Sequence, residues 1–283
     1  YTIKKTVVRI HATYETEYRF FFSDIFHRID RLFATYFAKK LKYIASTNSY
    51  HIGFFKKYYL RDNPKLISEK SYFVIPNSSE ISDSLSKTSK SLWNTKDKIR
   101  LITVGRMNKG GMRQKGMGDL FDAFVVLKNR CPETLDKFEM IVIGDGEYKK
   151  NFKKIVKDNS LDFINFVDSV SHDDLLNLLK TADVSILASR LEGLSMFAVE
   201  SLATSNVVLF SKTGGLIDLV DNNGYFFEPE DVNAIADAIE KLSGLSKKKI
   251  NLLKKNSREL FDDKFNETIV VNKFYSMLNK VVG

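Results

Sequence analysis

The sequence has very little cysteine: Cys131 stands alone among 283 residues. That excludes an internal disulfide, leaves no thiol cluster for zinc, and fits a reducing, cytoplasmic setting. Histidine is nearly as scarce, and His11, His27, His51 and His172 are too scattered to predict a metal site. No apolar run approaches the roughly 20 residues that cross a bilayer; FEMIVIG (138–144) is among the longest. The start does not read as a signal peptide, and no repeat of solenoid period is present. The glycines at 110, 111, 116 and 118 precede no GK[ST] and miss the GxGxxG spacing, which excludes a Walker motif and the dinucleotide fingerprint. With no DxD-like carboxylate cluster, a metal-independent site without a cofactor is expected.

Charge is unevenly placed. Residues 1–95 hold 16 Lys and Arg against 8 Asp and Glu, while residues 96–283 hold 28 against 27. An anionic partner for the first third follows, and a membrane surface, an anionic lipid-linked acceptor and nucleic acid all qualify. No recognition motif accompanies the charge, which disfavours nucleic acid. Arg28, Arg31, Lys39, Lys40 and Lys42 interleave with Phe22, Phe26, Phe33 and Phe37. The aromatics read equally as a membrane-facing set and as core beneath a solvated basic face.

From Lys98 onward, apolar runs of strand length alternate with amphipathic stretches of helix length, the rhythm of a parallel sheet covered by helices. Strands are expected at 99–104, 138–143, 163–167, 183–188 and 207–210, with a short one at 225–227. Helices are expected at about 116–130, 147–159, 172–181, 195–204, 214–221 and 231–243. Strands apolar throughout predict burial on both faces, hence a doubly wound α/β domain over 96–262. Residues 1–95 look like the C-terminal part of a second such unit, with strands at 6–10, 42–46 and 72–76. Between the first two, Phe22, Phe26, Ile29, Phe33, Phe37 and Leu41 recur at helical spacing. Three strands are too few for a whole Rossmann-like domain, so this first domain is expected to be incomplete in the chain. The Ser- and Lys-rich stretch 78–98 reads as a linker.

The loops after these strands carry the chemistry. ASRLEGLSMFAVE (188–200) places Glu192 on a strand-to-helix loop and Glu200 on the following helix, with seven residues between them. Loops at the carboxyl ends of parallel strands are where open α/β sheets bind ligands, and the helix start, with Gly193, Leu194 and Ser195, offers amides to an anion. The alternative is a solvated Glu192 and a surface-paired Glu200. TVGRMNKGGMRQKGMGDL (103–120) contributes Gly105 for a tight turn, with Arg106 and Lys115 as cations for a diphosphate. Lys109 and Arg113 compete for that role in what reads as a long loop. GDGE (144–147), with Gly144, Asp145 and Gly146, and TGG (213–215) put glycine at two more strand ends.

Taken in order, VGR…KG…A, IGDGE, SRLEGLSMFAVES, TGG and NNGYFFEPED resemble the donor-binding domain of family 4 retaining glycosyltransferases, whose architecture is called GT-B. The resemblance covers about residues 96–245 and implies two Rossmann-like domains. It also implies transfer of a sugar, with retention, from a nucleoside-diphosphate sugar to a glycan or lipid-linked hydroxyl acceptor, as in cell-surface polysaccharide or glycolipid synthesis. Arg106 and Lys115 then match the basic pair on the donor diphosphate. Glu192 matches the glutamate beside the sugar, and Glu200 the one that bonds the ribose hydroxyls. The amides of Gly193, Leu194 and Ser195 would hold the distal phosphate or the sugar, and Asp168, Ser169 and Val170 align near the base. RIHATY (9–14) resembles a strand end that carries a histidine near the donor sugar, which makes His11 a catalytic candidate beside Glu192, Arg106 and Lys115. YFVIPNSSEI (72–81) resembles the strand into the hinge, with Asn77 at its turn, and 264–281 resembles the last helices, so that 263–283 would cross back to the first domain. Two features depart from the family pattern: MNKGGMRQ lengthens the Arg106-to-Lys115 interval, and Asp218 stands where many members have glutamate. The competing functions are a nucleotide-sugar epimerase and a non-catalytic nucleotide-sugar-binding fragment.

Overall fold

A computed structural model of the protein describes residues 6–10, 33–79, 93 and 97–283. His11, Phe22, Phe26, Arg28, Ile29, Arg31 and most of the 78–98 linker lie outside the described residues.

The first unit is a three-stranded parallel sheet of β1 (Val7–Ile10), β2 (Tyr43–Ser46) and β3 (Ser71–Val74), in that spatial order. Residues 33–40 form helix α1, and α2 (Ser49–Phe54) runs on through a π-helical turn at Phe55–Tyr59 before α3 (Pro64–Ser68). On one face Ile44 packs with Ala38, Ile52, Phe55 and Leu60; on the other, Tyr43 and Ala45 meet Ile75. The stripe of phenylalanines does not enter this core where it is described. Phe33 is 62% exposed and Phe37 53%, and only Ala38 of α1 is buried.

The second unit is a six-stranded parallel sheet of β4 (Ile99–Val104), β5 (Phe138–Ile143), β6 (Ile164–Val167), β7 (Val184–Leu187), β8 (Val207–Ser211) and β9 (Gly224–Phe227). Their spatial order is β6-β5-β4-β7-β8-β9. The strands are mostly apolar because both faces are covered, with polar residues such as Thr103, Glu139 and Ser185 buried among them. Leu101, Met140, Val142, Val207 and Leu209 enter one core, while the alternate residues Ile102, Ile141, Ile143, Val208 and Phe210 enter the other. A period of two thus fills two cores with one run of residues. The covering helices are α4 (Lys109–Lys115), α5 (Met117–Arg130), α6 (Pro132–Leu135), α7 (Lys149–Asp158), α8 (His172–Thr181), α9 (Met196–Ala203), α10 (Val232–Ser243) and α11 (Lys247–Lys264).

Three features differ from the sequence reading. The stretch taken as a long charged loop contains α4: the Asn108 side chain accepts the Gly111 amide at 2.8 Å, and Gly116 closes the helix in the left-handed region at φ 57°. The segment expected as a helix over 214–221 is a 3-10 helix, Gly214–Leu219. Trp93, inside the presumed linker, belongs to the second core and donates its indole N–H to Thr181 Oγ1 at 2.8 Å.

The final helix, α12 (Glu267–Val282), packs Met277 and Val281 against Tyr43, Ala45 and Ile75 of the first unit. Ser78 Oγ donates to the Phe265 carbonyl at 2.8 Å. Across the interdomain cleft, Asp218 accepts the Ser49 amide at 2.7 Å and the Ser49 hydroxyl at 2.5 Å. The cleft there measures about 350 Å³ and is lined by Thr47, Pro76, Asp218 and Lys273, among others.

Candidate active site

Strand order alone locates the site. The chain departs from β4 first to one side, toward β5 and β6, and later to the other, toward β7, β8 and β9. Loops leaving β4 and β7 therefore diverge, and the crevice between them is the topological switch point where such sheets bind ligands. Both strongest sequence motifs sit there, the 105–116 segment after β4 and the 188–195 segment after β7.

Glycine brings these loops into backbone contact. A Cβ on Gly144 would lie 2.0 Å from the Gly105 carbonyl oxygen, and one on Gly146 2.4 Å from the Met107 carbonyl. On the other side, a Cβ on Gly116 would lie 2.0 Å from the Ala188 carbonyl oxygen, and one on Gly214 1.7 Å from that of Glu192. All four of these glycines have positive φ, so a side chain is resisted by conformation as well as by space. Amides lock the same contacts: Met107 N donates to Asp145 O at 2.9 Å, Arg190 N to Gln114 O at 2.8 Å, and Gly215 N to Gly193 O at 2.7 Å.

Within this frame Lys115 and Glu192 meet, Nζ to Oε2, at 2.6 Å, and Ser189 Oγ donates to the same oxygen at 3.1 Å. The two side chains are 19% and 9% exposed, so the pair sits at the crevice wall rather than on open surface. Arg106 is exposed and only 3.4 Å from Gln114 Oε1, which leaves its guanidinium weakly held. Lys109 and Arg113 are exposed on α4. Helix α9 has Ser195 as its N-cap residue, whose side chain makes no capping hydrogen bond to the first-turn amides.

Glu200 occupies a different setting. Its side chain is 4% exposed within α9, and Oε1 lies 2.9 Å from Nε2 of His172, the first residue of α8. Glu192 and Glu200 thus have separate partners. Asp168 and Ser169 are exposed after β6, whereas Val170 packs against the second core. The buried ammonium of Lys149 bonds Asp168 Oδ1 and, at 3.0 Å, the Gly144 carbonyl, tying the β5 and β6 loops together. That hydrogen bond and charge hold the Asp168 carboxyl below its ordinary range. Asp145 uses Oδ1 to accept the Gly146 amide at 2.8 Å, which shapes its own turn.

The sequence reading passed over Lys149, His172, Ser189 and the pair Arg190–Asp119, which bonds twice, at 2.8 and 2.6 Å. Asp119 raises the Arg190 pKa through that hydrogen bond, with its charge adding to the effect. The partners of Lys149, His172 and Arg190 are remote in sequence, so no local motif advertised them, whereas Ser189 lies three residues from Glu192 within the 188–200 segment. Asn77, noted as a turn residue, reaches from the first unit to the Leu194 carbonyl at 3.4 Å.

A doubly wound parallel sheet with cations and an uncapped helix start at its switch point, joined to a second parallel sheet across a cleft, defines the GT-B glycosyltransferase architecture. The family model for glycosyl transferases group 1 matches residues 86–260, and the chain belongs to that family. Over 202 residues it is 27% identical to an uncharacterized glycosyltransferase of Methanocaldococcus jannaschii, covering 69% of this chain and 54% of that one. It is 24% identical over 152 residues to the Escherichia coli UDP-Gal:alpha-D-GlcNAc-diphosphoundecaprenol alpha-1,3-galactosyltransferase, covering 53% and 38%. The Anabaena protein HepE in complex with UDP superposes with a TM-score of 0.73 at 18% identity, over 97% of this chain and 72% of that one. The matches span from about a third to about half of the length of the sequence relatives. No helix among the described residues is long and apolar enough to cross a membrane.

Proposed function

We propose that the protein transfers a sugar from a nucleoside-diphosphate sugar to a hydroxyl acceptor, with retention at the anomeric carbon and without a metal ion. The observation that carries this reading is Lys115, paired at the switch point with Glu192, three residues before the Ser195 N-cap of α9. In transfer, the bond from the anomeric carbon to the diphosphate oxygen breaks with its electron pair going to the diphosphate. A new bond forms to the acceptor oxygen, whose proton passes to the departing diphosphate. The difficult event is build-up of negative charge on the leaving group. Lys115 and the amides of Gly193, Leu194 and Ser195 would be preorganised donors for that charge, needing no reorganisation as it develops, and the weakly held Arg106 guanidinium would turn onto the diphosphate as the donor binds. Glu192 would face the positive charge growing on the sugar. Glu200 would accept the ribose hydroxyls, and the Asp168 to Val170 loop would border the base.

Two structurally separate sheets allow closure to exclude water, and Ser49 with Asp218 forms a contact that closure would use. The acceptor is read as a glycan or a lipid-linked saccharide, in keeping with the name of the Escherichia coli relative. Exposed Phe33, Tyr36 and Phe37 beside Lys39, Lys40 and Lys42 would place the first unit against an anionic leaflet. Flotation with anionic but not neutral liposomes is the expected result there, and equal recovery from both would refute it.

Incubation with UDP-, GDP- and ADP-sugars and glycan or lipid-linked acceptors tests the main reading. Net glycosylation of retained anomeric configuration is expected. Epimerised nucleotide sugar, or binding without transfer, would overturn it.

A further inference from the structure

Glu200 is a carboxylate within the second core layer, its side chain 4% exposed. A buried charge needs hydrogen-bonding partners, and its nearest one is the imidazole of His172 at 2.9 Å, from a different helix 28 residues earlier. Because a carboxylate only accepts, the His172 nitrogen facing it, Nε2, must carry a proton. The hydrogen bond therefore fixes both the tautomer of the ring and the plane of the carboxylate. His172 itself is 59% exposed and opens α8, which Ser171 caps through the Asp174 amide. Its backbone is set by that cap, so the ring is delivered to Glu200 from a firm base.

Resting on the reading that Glu200 receives the ribose diol, we infer that His172 is a positioning residue that gives the site its preference for ribonucleotides over deoxyribonucleotides. A carboxylate has about four lone-pair directions. With one oxygen anchored by His172, the remaining directions point to a fixed place, where two neighbouring hydroxyls can donate together. Freed of the anchor, the carboxylate turns about its last torsion and meets a diol no better than a single hydroxyl. A base, a phosphate or a sugar would not sense that change directly, so the effect is confined to the ribose.

The test is calorimetric binding of UDP and 2′-deoxy-UDP to the full chain and to three variants. His172→Phe keeps a ring without a donor, His172→Ala removes the ring, and His172→Gln restores an N–H at similar reach. The wild type should favour UDP. In the Phe and Ala variants UDP should bind roughly ten- to a hundredfold more weakly, the range for losing a hydrogen bond to a charged group. Affinity for 2′-deoxy-UDP should change little, and the Gln variant should recover most of the preference. Steady-state assay should show KM for the donor rising more than kcat falls. A purely structural role would weaken both nucleotides equally, and that outcome overturns the inference, as does unchanged preference in the Phe and Ala variants. If the wild type and Glu200→Gln bind both nucleotides alike, the assignment of Glu200 to the ribose fails first and takes this inference with it.

Discussion

Lys115 Nζ lies 2.6 Å from Glu192 Oε2, joining the loop region after β4 to the loop after β7 across 77 residues of sequence. The pair brings together the two charges that the proposed reaction needs at opposite ends of one bond. A donor diphosphate would compete with Glu192 for the ammonium and release the carboxylate toward the sugar. Replacing Lys115 by Ala should lower kcat about 10²- to 10³-fold, the loss typical of one preorganised donor to a developing charge. It should also lower stability by about 1–2 kcal/mol, less than for a fully buried pair, because both side chains keep some solvent. Glu192→Gln should retain the fold and lose rate. Steady-state kinetics with urea unfolding checks both variants, and wild-type turnover in Lys115→Ala would contradict the role.

Glycine contacts hold the four loops at their spacing. Gly214→Ala would place a methyl 1.7 Å from the Glu192 carbonyl at φ 51°, and it should cost at least about 2 kcal/mol. A methyl on Gly53 in α2 would meet nothing within 4 Å, and the residue has an ordinary helical setting. Gly53→Ala should be neutral or stabilise by about 0.5–1 kcal/mol. Denaturant midpoints check both: the Gly214→Ala midpoint should fall, and the Gly53→Ala midpoint should hold or rise.

Acid stability should depend on Asp168. Its folded pKa is depressed by the hydrogen bond and charge of Lys149. The resulting stability is fully present above the unfolded value, about 3.9, and is lost as pH falls through the lower folded value. Asp168→Asn removes that titration. Below about pH 4 the wild type should lose stability more steeply than the variant, and superimposable acid unfolding curves would show that the pair contributes nothing.

The second sheet was legible because its strands serve two cores at once, which writes them as largely apolar runs such as MIVI at 140–143. Helix α4 was not: KGGMRQK has two glycines and little apolar periodicity, and its signals are the cap at Asn108 and the left-handed Gly116. The phenylalanines of α1 carried a helical spacing, yet spacing does not say which side is covered, and Phe33 and Phe37 are exposed. At the site, residue types were legible and partnerships were not. Lys115 with Glu192, His172 with Glu200, and Lys149 with Asp168 each join separate loops or helices, and only the strand order brings them together.

A crystal structure of the protein with a nucleoside-diphosphate sugar bound is the most direct test. The diphosphate should lie between β4 and β7, within hydrogen-bonding distance of Lys115, Arg106 and the amides at 193–195, with the Glu200 carboxylate on the ribose diol. A nucleotide seated outside that crevice, or one that leaves the Lys115–Glu192 pair intact and Glu200 untouched, would contradict the account.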